Sequence, residues 1–196
     1  MIERTEEVVR QKKEIEEQNE RLEVLYKHVT DSIKYAKKIQ EAILPPENRI
    51  NELLPESFVL YKPKDIVSGD FYWIEKMGNK VLYATVDCTG HGVPGAFMSI
   101  VGHNILKQVT SKAQNSEPAA ILDLLNMGVT DTLRNTDEGT GAKDGMDLAL
   151  CSIDFDKLEL EYAGAYNPLY LIREGELQEI KGDKFPIGFF VGEGDR

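Results

Sequence analysis

The chain predicts an α+β fold, with helices packed on antiparallel sheet behind one long N-terminal helix. Three observations carry this expectation. Residues 1 to 44 are rich in Glu, Lys, Gln and Arg and contain neither Gly nor Pro. After them, short apolar runs alternate with Gly, Asn, Asp and Pro, the signature of strands and turns. Two helix-period segments interrupt these runs once, in the middle. Strands, then helices, then strands argue for helices on antiparallel sheet rather than an alternating parallel fold.

The N-terminal block has an unbroken apolar heptad position at Met1, Val8, Ile15, Leu22, Val29, Ala36 and Ile43. Charged flanks around such a stripe read as coiled coil, and a parallel homodimer is the favoured reading. The companion row is weaker, with Arg4, Gln11 and Gln18 before Leu25, Ser32 and Ile39. The competing reading is a solvated single helix docked on its own domain. Pro45-Pro46 stops the helix. The predicted division is a signalling helix over 1–44 and a folded domain over 45–196.

Phe58–Tyr61 reads as a short strand. Phe71–Ile74 and Val81–Val86 read as a hairpin around Gly78-Asn79. The pattern predicts two apolar faces for it. Phe71, Trp73, Leu82, Ala84 and Val86 lie on one, and Tyr72, Ile74, Val81 and Tyr83 on the other. A hairpin apolar on both faces is expected at the centre of a sheet. Pro94 fits the first turn of a helix over about Ala96 to Ser111, with Phe97, Val101, Ile105 and Val109 as its apolar face. Glu117-Pro118 opens a second helix, to about Arg134, with Ile121, Leu124, Leu125, Val129 and Leu133 apolar. Asn135–Lys143 is polar and glycine-rich and reads as a loop. Met146–Ile153, Leu158–Ala163, Leu169–Arg173 and Leu177–Ile180 then read as an antiparallel meander.

The hairpin carries the chemistry. With Gly78-Asn79 as the loop, facing residues pair so that Asp70 lies directly opposite Asp87. Opposed residues share a face, with Cβ atoms roughly 4.5–5.5 Å apart. Two carboxylates that close repel, so one stays protonated or a cation lies between them. Oxygen donors suit Mg²⁺ or Mn²⁺ rather than zinc or copper. The bland reading is a pair of solvated hairpin-end aspartates. It sits poorly with glycines beside each Asp and apolar residues on both faces. Asp147 heads an otherwise apolar strand, with Ala149 and Cys151 on its face. It is either a turn cap or a third carboxylate aimed at the same place, and Asp144 is a rival for that role. His91, between two glycines, reads as structural or peripheral ahead of general base. The glycine-rich run lacks the Gly-Lys-Ser/Thr ending of a phosphate-binding loop.

A net charge of −11 disfavours nucleic acid and anionic membrane as partners. Cys88 and Cys151 lack metal-finger spacing and read as buried thiols of a cytoplasmic protein. No run approaches the length of a membrane span.

Ser68-Gly69-Asp70-Phe71-Tyr72-Trp73, Asp87 through Ser99 and Tyr162 through Leu169 resemble the SpoIIE/RsbU-type serine phosphatases. These are bacterial members of the metal-dependent (type 2C) protein phosphatase superfamily. Lys181 through Gly188 is similar to a further family element, and the N-terminal block resembles the signalling helices that join such phosphatases to sensory domains. The resemblance implies a two-layer antiparallel β-sandwich flanked by helices, with a binuclear Mn²⁺ or Mg²⁺ site at one edge. It implies Asp70 and Asp87 as catalytic metal ligands, the Cys88 carbonyl as another, and Asp147 at a position acidic in some members and threonine in others. The family's late Ser/Thr-Asp-Gly motif is absent, and the chain is read as a truncated copy, expected to be weak or inactive alone. The implied reaction is hydrolysis of phosphoserine or phosphothreonine on a STAS-domain anti-anti-sigma factor, under control of the helix and an upstream sensory domain. The alternatives are a non-catalytic partner-binding module and a coiled-coil dimerisation scaffold.

Overall fold

The computed structural model of the chain describes residues 2–113, 116–134 and 144–188. Helix α1 spans Ile2–Ile43. At 1.5 Å per residue it is about 63 Å long. It ends where Pro45-Pro46 removes two backbone donors. A short helix, α2, follows over Glu47–Leu53.

Strands β1 (Phe71–Met77) and β2 (Lys80–Cys88) form the expected hairpin, and Met77 faces Lys80. Gly78 has φ 61°, the conformation required at the first central residue of a twisted two-residue hairpin loop. The two faces are also as expected. Phe71, Trp73, Leu82, Ala84 and Val86 enter the main core, while Ile74 and Val81 pack with Ile50 and Leu53 of α2.

The hairpin is not central, however. The sheet order is β1-β2-β3-β4, with β3 at Gly145–Asp154 and β4 at Glu159–Ala165. This leaves β1 at an edge. Its outer faces are covered by helices rather than by strands on both sides. A fifth strand, β7 (Ile187–Gly188), pairs with the first residues of β3, opposite Gly145 and Met146.

Phe58–Tyr61 is not a strand. Its side chains are apolar and strand-prone, but no strand runs beside it among the described residues. Phe58 and Leu60 are 90% and 79% exposed. The expected meander is also broken. Among the described residues, strands β5 (Leu169–Arg173) and β6 (Glu176–Ile180) pair only with each other, as a separate two-stranded sheet turned at Glu174-Gly175. Asn167-Pro168 diverts the chain after β4. The Tyr166 amide donates to the Asp183 carbonyl and the Asp183 amide to the Gly164 carbonyl, so residues 162–169 and 181–188 close on each other.

Helices α3 (Gly92–Lys112) and α4 (Pro118–Arg134) lie on the main-core face of the sheet. Helix α3 begins at Gly92, earlier than expected, and the face it buries is rotated from the predicted one. Ala96, Met98, Ser99, Gly102, His103, Leu106 and Thr110 are buried, whereas Phe97 is exposed. The small residues explain the rotation, because they let the helix approach the sheet closely. A Cβ on Gly102 would lie 2.7 Å from Met146 Cε and 3.4 Å from the Phe71 ring. On α4, Ile121, Leu125 and Val129 are buried as expected, joined by Leu122, while Leu124 faces out. The predicted Asn135–Lys143 loop lies outside the described residues.

Candidate metal centre

Three neighbouring segments bring three aspartates to one end of the sheet. The β1–β2 ladder ends at Phe71 opposite Val86, so Asp70 lies one step beyond, towards Asp87. The β2–β3 ladder pairs Asp87 directly with Asp147. Since alternate residues share a face, Asp70, Asp87 and Asp147 share the α2 side of the sheet. The register answers the positional half of the question raised by Asp147. Its neighbour across the ladder is the second aspartate itself. The turn-cap role belongs instead to Asp154, whose Oδ1 accepts from the Asp156 and Lys157 amides.

The crowding is electrostatically unfavourable without a counter-charge. Burial raises the pKa of Asp70, and contact with the Asp87 carboxylate and its charge raises it further. Burial, then the charge of Asp87, raises Asp147 in the same way. Among the described residues no three His, Cys, Asp or Glu side chains close tightly enough to hold an ion by themselves. The Cys88 carbonyl lies against the Asp70 loop, 3.0 Å from where a Cβ on Gly69 would be. The Cys88 side chain points into the main core, and burial pushes its thiol far above the usual range, so it offers no thiolate. Carboxylates and carbonyls without thiolate are the donors that hard divalent cations take.

Glycines shape this end by backbone-to-backbone contact. A Cβ on Gly69 would meet the Gly90 carbonyl oxygen at 2.7 Å, and one on Gly95 would meet the same oxygen at the same distance. Neither obstacle is a flexible side chain. Gly69→Ala is therefore expected to cost about 1–3 kcal/mol, the usual penalty for forced overpacking. Thermal unfolding in chelator reads it directly; an unchanged Tm would show that the Asp87–Gly95 loop yields instead.

The Asp70 backbone is held on both sides. Its amide donates to Ser68 Oγ at 3.0 Å, and its carbonyl accepts from the Tyr61 hydroxyl at 3.2 Å. Thr89 ties the second aspartate's loop to β3, donating from its amide and its hydroxyl to the Gly145 carbonyl. His91 Nδ1 lies 3.0 Å from Asp65 Oδ2, a partner with no signal in the sequence. Both groups are solvent-facing, so the pair adds little stability. Asp70 and Asp87 line a cleft of about 1050 Å³, together with Phe58, Tyr61, Tyr72 and Tyr83 among others.

Two polar residues whose burial the sequence did not show are Gln40 of α1 and His103 of α3, which are 3% and 8% exposed. Nothing in the local pattern marks either. Their burial follows from how α1 lies against α3.

The family described as Stage II sporulation protein E (SpoIIE) matches residues 77–195. Among solved structures, the SiaA-PP2C domain of Pseudomonas aeruginosa is 36% identical with a TM-score of 0.73, over 83% of this chain and 63% of that one. The PP2C phosphatase domain of the cell fate determinant SpoIIE from Bacillus subtilis, with a fragment of its regulatory domain, is 24% identical with a TM-score of 0.52. That match covers 66% of this chain and 36% of that one. A structure of RsbX in complex with magnesium is 14% identical with a TM-score of 0.50, over 69% and 62% of the two chains. The last two likenesses concern the fold. The chain spans less than two thirds of each of these solved chains. No curated protein matches it.

Proposed function

Since the chain belongs to the SpoIIE family, we propose that it is a metal-dependent protein-serine/threonine phosphatase whose cation site is built on Asp70, Asp87, Asp147 and the Cys88 carbonyl. The observation that carries this reading is the direct pairing of Asp87 with Asp147, one ladder step from Asp70. Asp87 lies between the other two and would share a cation with either of them. Bound Mn²⁺ or Mg²⁺ supplies Lewis acidity, lowering the pKa of a water and offsetting charge on the phosphoryl oxygens. The protein's own part is to hold its donors fixed and to seat the substrate. The glycine contacts and the Ser68 and Tyr61 hydrogen bonds do the first. The cleft beside Asp70, largely apolar and lined by Phe58, Tyr61, Tyr72 and Tyr83, has room for a segment of a phosphoprotein. No protein nucleophile is required, which agrees with the protonated, buried thiol of Cys88.

The substrate proposed is a phosphoserine or phosphothreonine protein of STAS-domain type, acting in a partner-switching pathway. The resemblance of the Asp70 and Asp87 motifs to the SpoIIE/RsbU-type enzymes supports this. A parallel dimer through α1 and an upstream sensory domain are proposed as its control. Free, buried Cys88 and Cys151 suit a reducing cytoplasm. No helix among the described residues is long and apolar enough to cross a membrane.

The test is phosphate release from phosphoserine peptides with Mn²⁺, in parallel with calorimetric titration of Mn²⁺ into the metal-free chain. At most weak turnover is expected from this chain and strong turnover from a longer form that carries the family's late Asp-Gly motif, in both cases requiring Mn²⁺ and vanishing in chelator. Turnover indifferent to chelator would overturn the metal mechanism. The one observation favouring a non-catalytic binding module is that the described side chains do not close on an ion unaided. Absence of any Mn²⁺ heat would decide for that module.

A further inference from the structure

Gln40 sits on α1, but the hydrogen bonds of its side chain run to two other segments. Its Nε2 donates to the Ser68 carbonyl at 2.5 Å and to Ser99 Oγ at 2.7 Å, and its Oε1 accepts from the Ser68 amide at 3.0 Å. The amide therefore grips the backbone of one residue from both sides, in the manner of a strand partner. All three residues are buried, with Gln40 3%, Ser68 6% and Ser99 0% exposed. The orientation of the amide is fixed by its partners, since a flipped group would set its oxygen against the Ser68 carbonyl and its NH₂ against the Ser68 amide.

The gripped residue is the one that holds Asp70, because Ser68 Oγ accepts from the Asp70 amide. Ser99 in turn donates to the Ala96 carbonyl in the first turns of α3, just beyond the Gly90–Gly95 run. One side chain thus joins α1, the loop before the first aspartate and the helix after the second. Around it, Ile33, Ala36 and Ile43 are partly buried at the spacing of a single helical face, while the heptad row further towards the N-terminus is exposed. Gln40 is the polar member of that face. A buried amide there is costly unless fully paired, so the α1 seat and the Ser68 geometry stand or fall together.

We propose that Gln40 is a positioning residue, through which α1 holds the Ser68-Gly69-Asp70 loop in the geometry that binds the cation. The proposal rests on the metal-centre reading above. It acts through Asp70 and touches no reacting atom. Loss of an outer partner of a ligand typically weakens metal binding by roughly 10–100-fold. That is the size of effect expected here.

The experiment compares the parent chain with Gln40→Met, which keeps volume and removes every hydrogen bond, and with Ile33→Ala, which loosens the same helix face without touching Ser68. Mn²⁺ affinity is measured by calorimetry, and exchange of the Ser68 amide by NMR in chelator. Gln40→Met is expected to weaken Mn²⁺ by roughly 10–100-fold and to speed Ser68 exchange by about tenfold. Ile33→Ala should remain near the parent in both. Parent-like Mn²⁺ affinity in Gln40→Met overturns the proposal. So does equal weakening in Ile33→Ala, which would make the effect one of helix seating alone. If Gln40→Met does not fold, Ser99→Ala removes one arm of the clamp and is read in the same way. A parent that takes up no Mn²⁺ sinks the metal reading instead. The clamp is then judged on the Ser68 amide: protection lost in the variant sustains it, and no protection in the parent overturns it.

Discussion

Asp87→Asn is expected to abolish Mn²⁺ uptake and to reduce phosphopeptide turnover by on the order of a hundredfold or more, beyond the roughly 10–100-fold cost of losing even an outer-shell partner. Asp87 pairs with Asp147 across the ladder and faces Asp70 beyond its end. Its charge serves both neighbours when a cation is present and repels both when none is. The same substitution should therefore raise the Tm of the chain in chelator while removing the rise that Mn²⁺ gives the parent, which at a hundredfold excess over Kd is about 2.7 kcal/mol. The pH dependence has a defined sign. Asp70 and Asp147 have folded pKa values above the ordinary 3.8, from burial first and Asp87 second. Their contribution to stability is full below 3.8 and is lost as pH rises through the raised values. Asp87→Asn should narrow that loss. Unfolding in chelator at several pH values and titration calorimetry with Mn²⁺ check both halves. A variant that keeps the parent's Mn²⁺ heat, or one less stable than the parent in chelator, would overturn the assignment of Asp87 to the centre.

The first half of this centre was legible because a two-residue turn fixes register locally. Once Gly78-Asn79 is the loop, the alternation of Phe71–Ile74 and Val81–Val86 places Asp70 and Asp87 on one face without knowledge of anything else. Asp147 was undecided for a physical reason. Its partnership with Asp87 is a pairing across two helices, and no local signal chooses between a turn cap and a ladder partner. The α3 face was misjudged because the face it buries carries Ser99, Gly102, His103 and Thr110 beside Met98 and Leu106, while Ile105 and Val109 pack only at its margin. Periodicity weighs apolar size, whereas Ser99 and Gly102 are selected for how near a helix can lie to a sheet. Phe58–Tyr61 has strand propensity with no strand beside it among the described residues, and propensity in strands is a statement about neighbours. Gln40 is the same lesson in polar form. On a charged helix one Gln among several is unremarkable until tertiary structure buries it.

Leu22→Asp is expected to convert the chain from dimer to monomer. In the isolated protomer Val8, Ile15, Leu22 and Val29 are 59%, 56%, 66% and 58% exposed. The heptad row is thus not spent on the chain's own domain over that stretch, and a second helix is what would cover it. Burying one Leu is worth about 1.5–3 kcal/mol, and a symmetric seam counts it twice. Losing both corresponds to roughly a 10²–10⁴-fold rise in Kd, before the cost of opposing two carboxylates. In such a dimer the polar companions Gln11 and Gln18 would keep the seam adjustable, with two packings a few kcal/mol apart within its reach. The row then runs into the docked face, because Ala36 and Ile43 belong to both. A change of packing along the seam therefore arrives at the turns that flank Gln40. Sedimentation equilibrium on parent and variant measures the effect. A parent that remains monomeric at tens of micromolar, a rough range for a seam of this length, would overturn the dimer and leave α1 to act within one protomer through Gln40 alone.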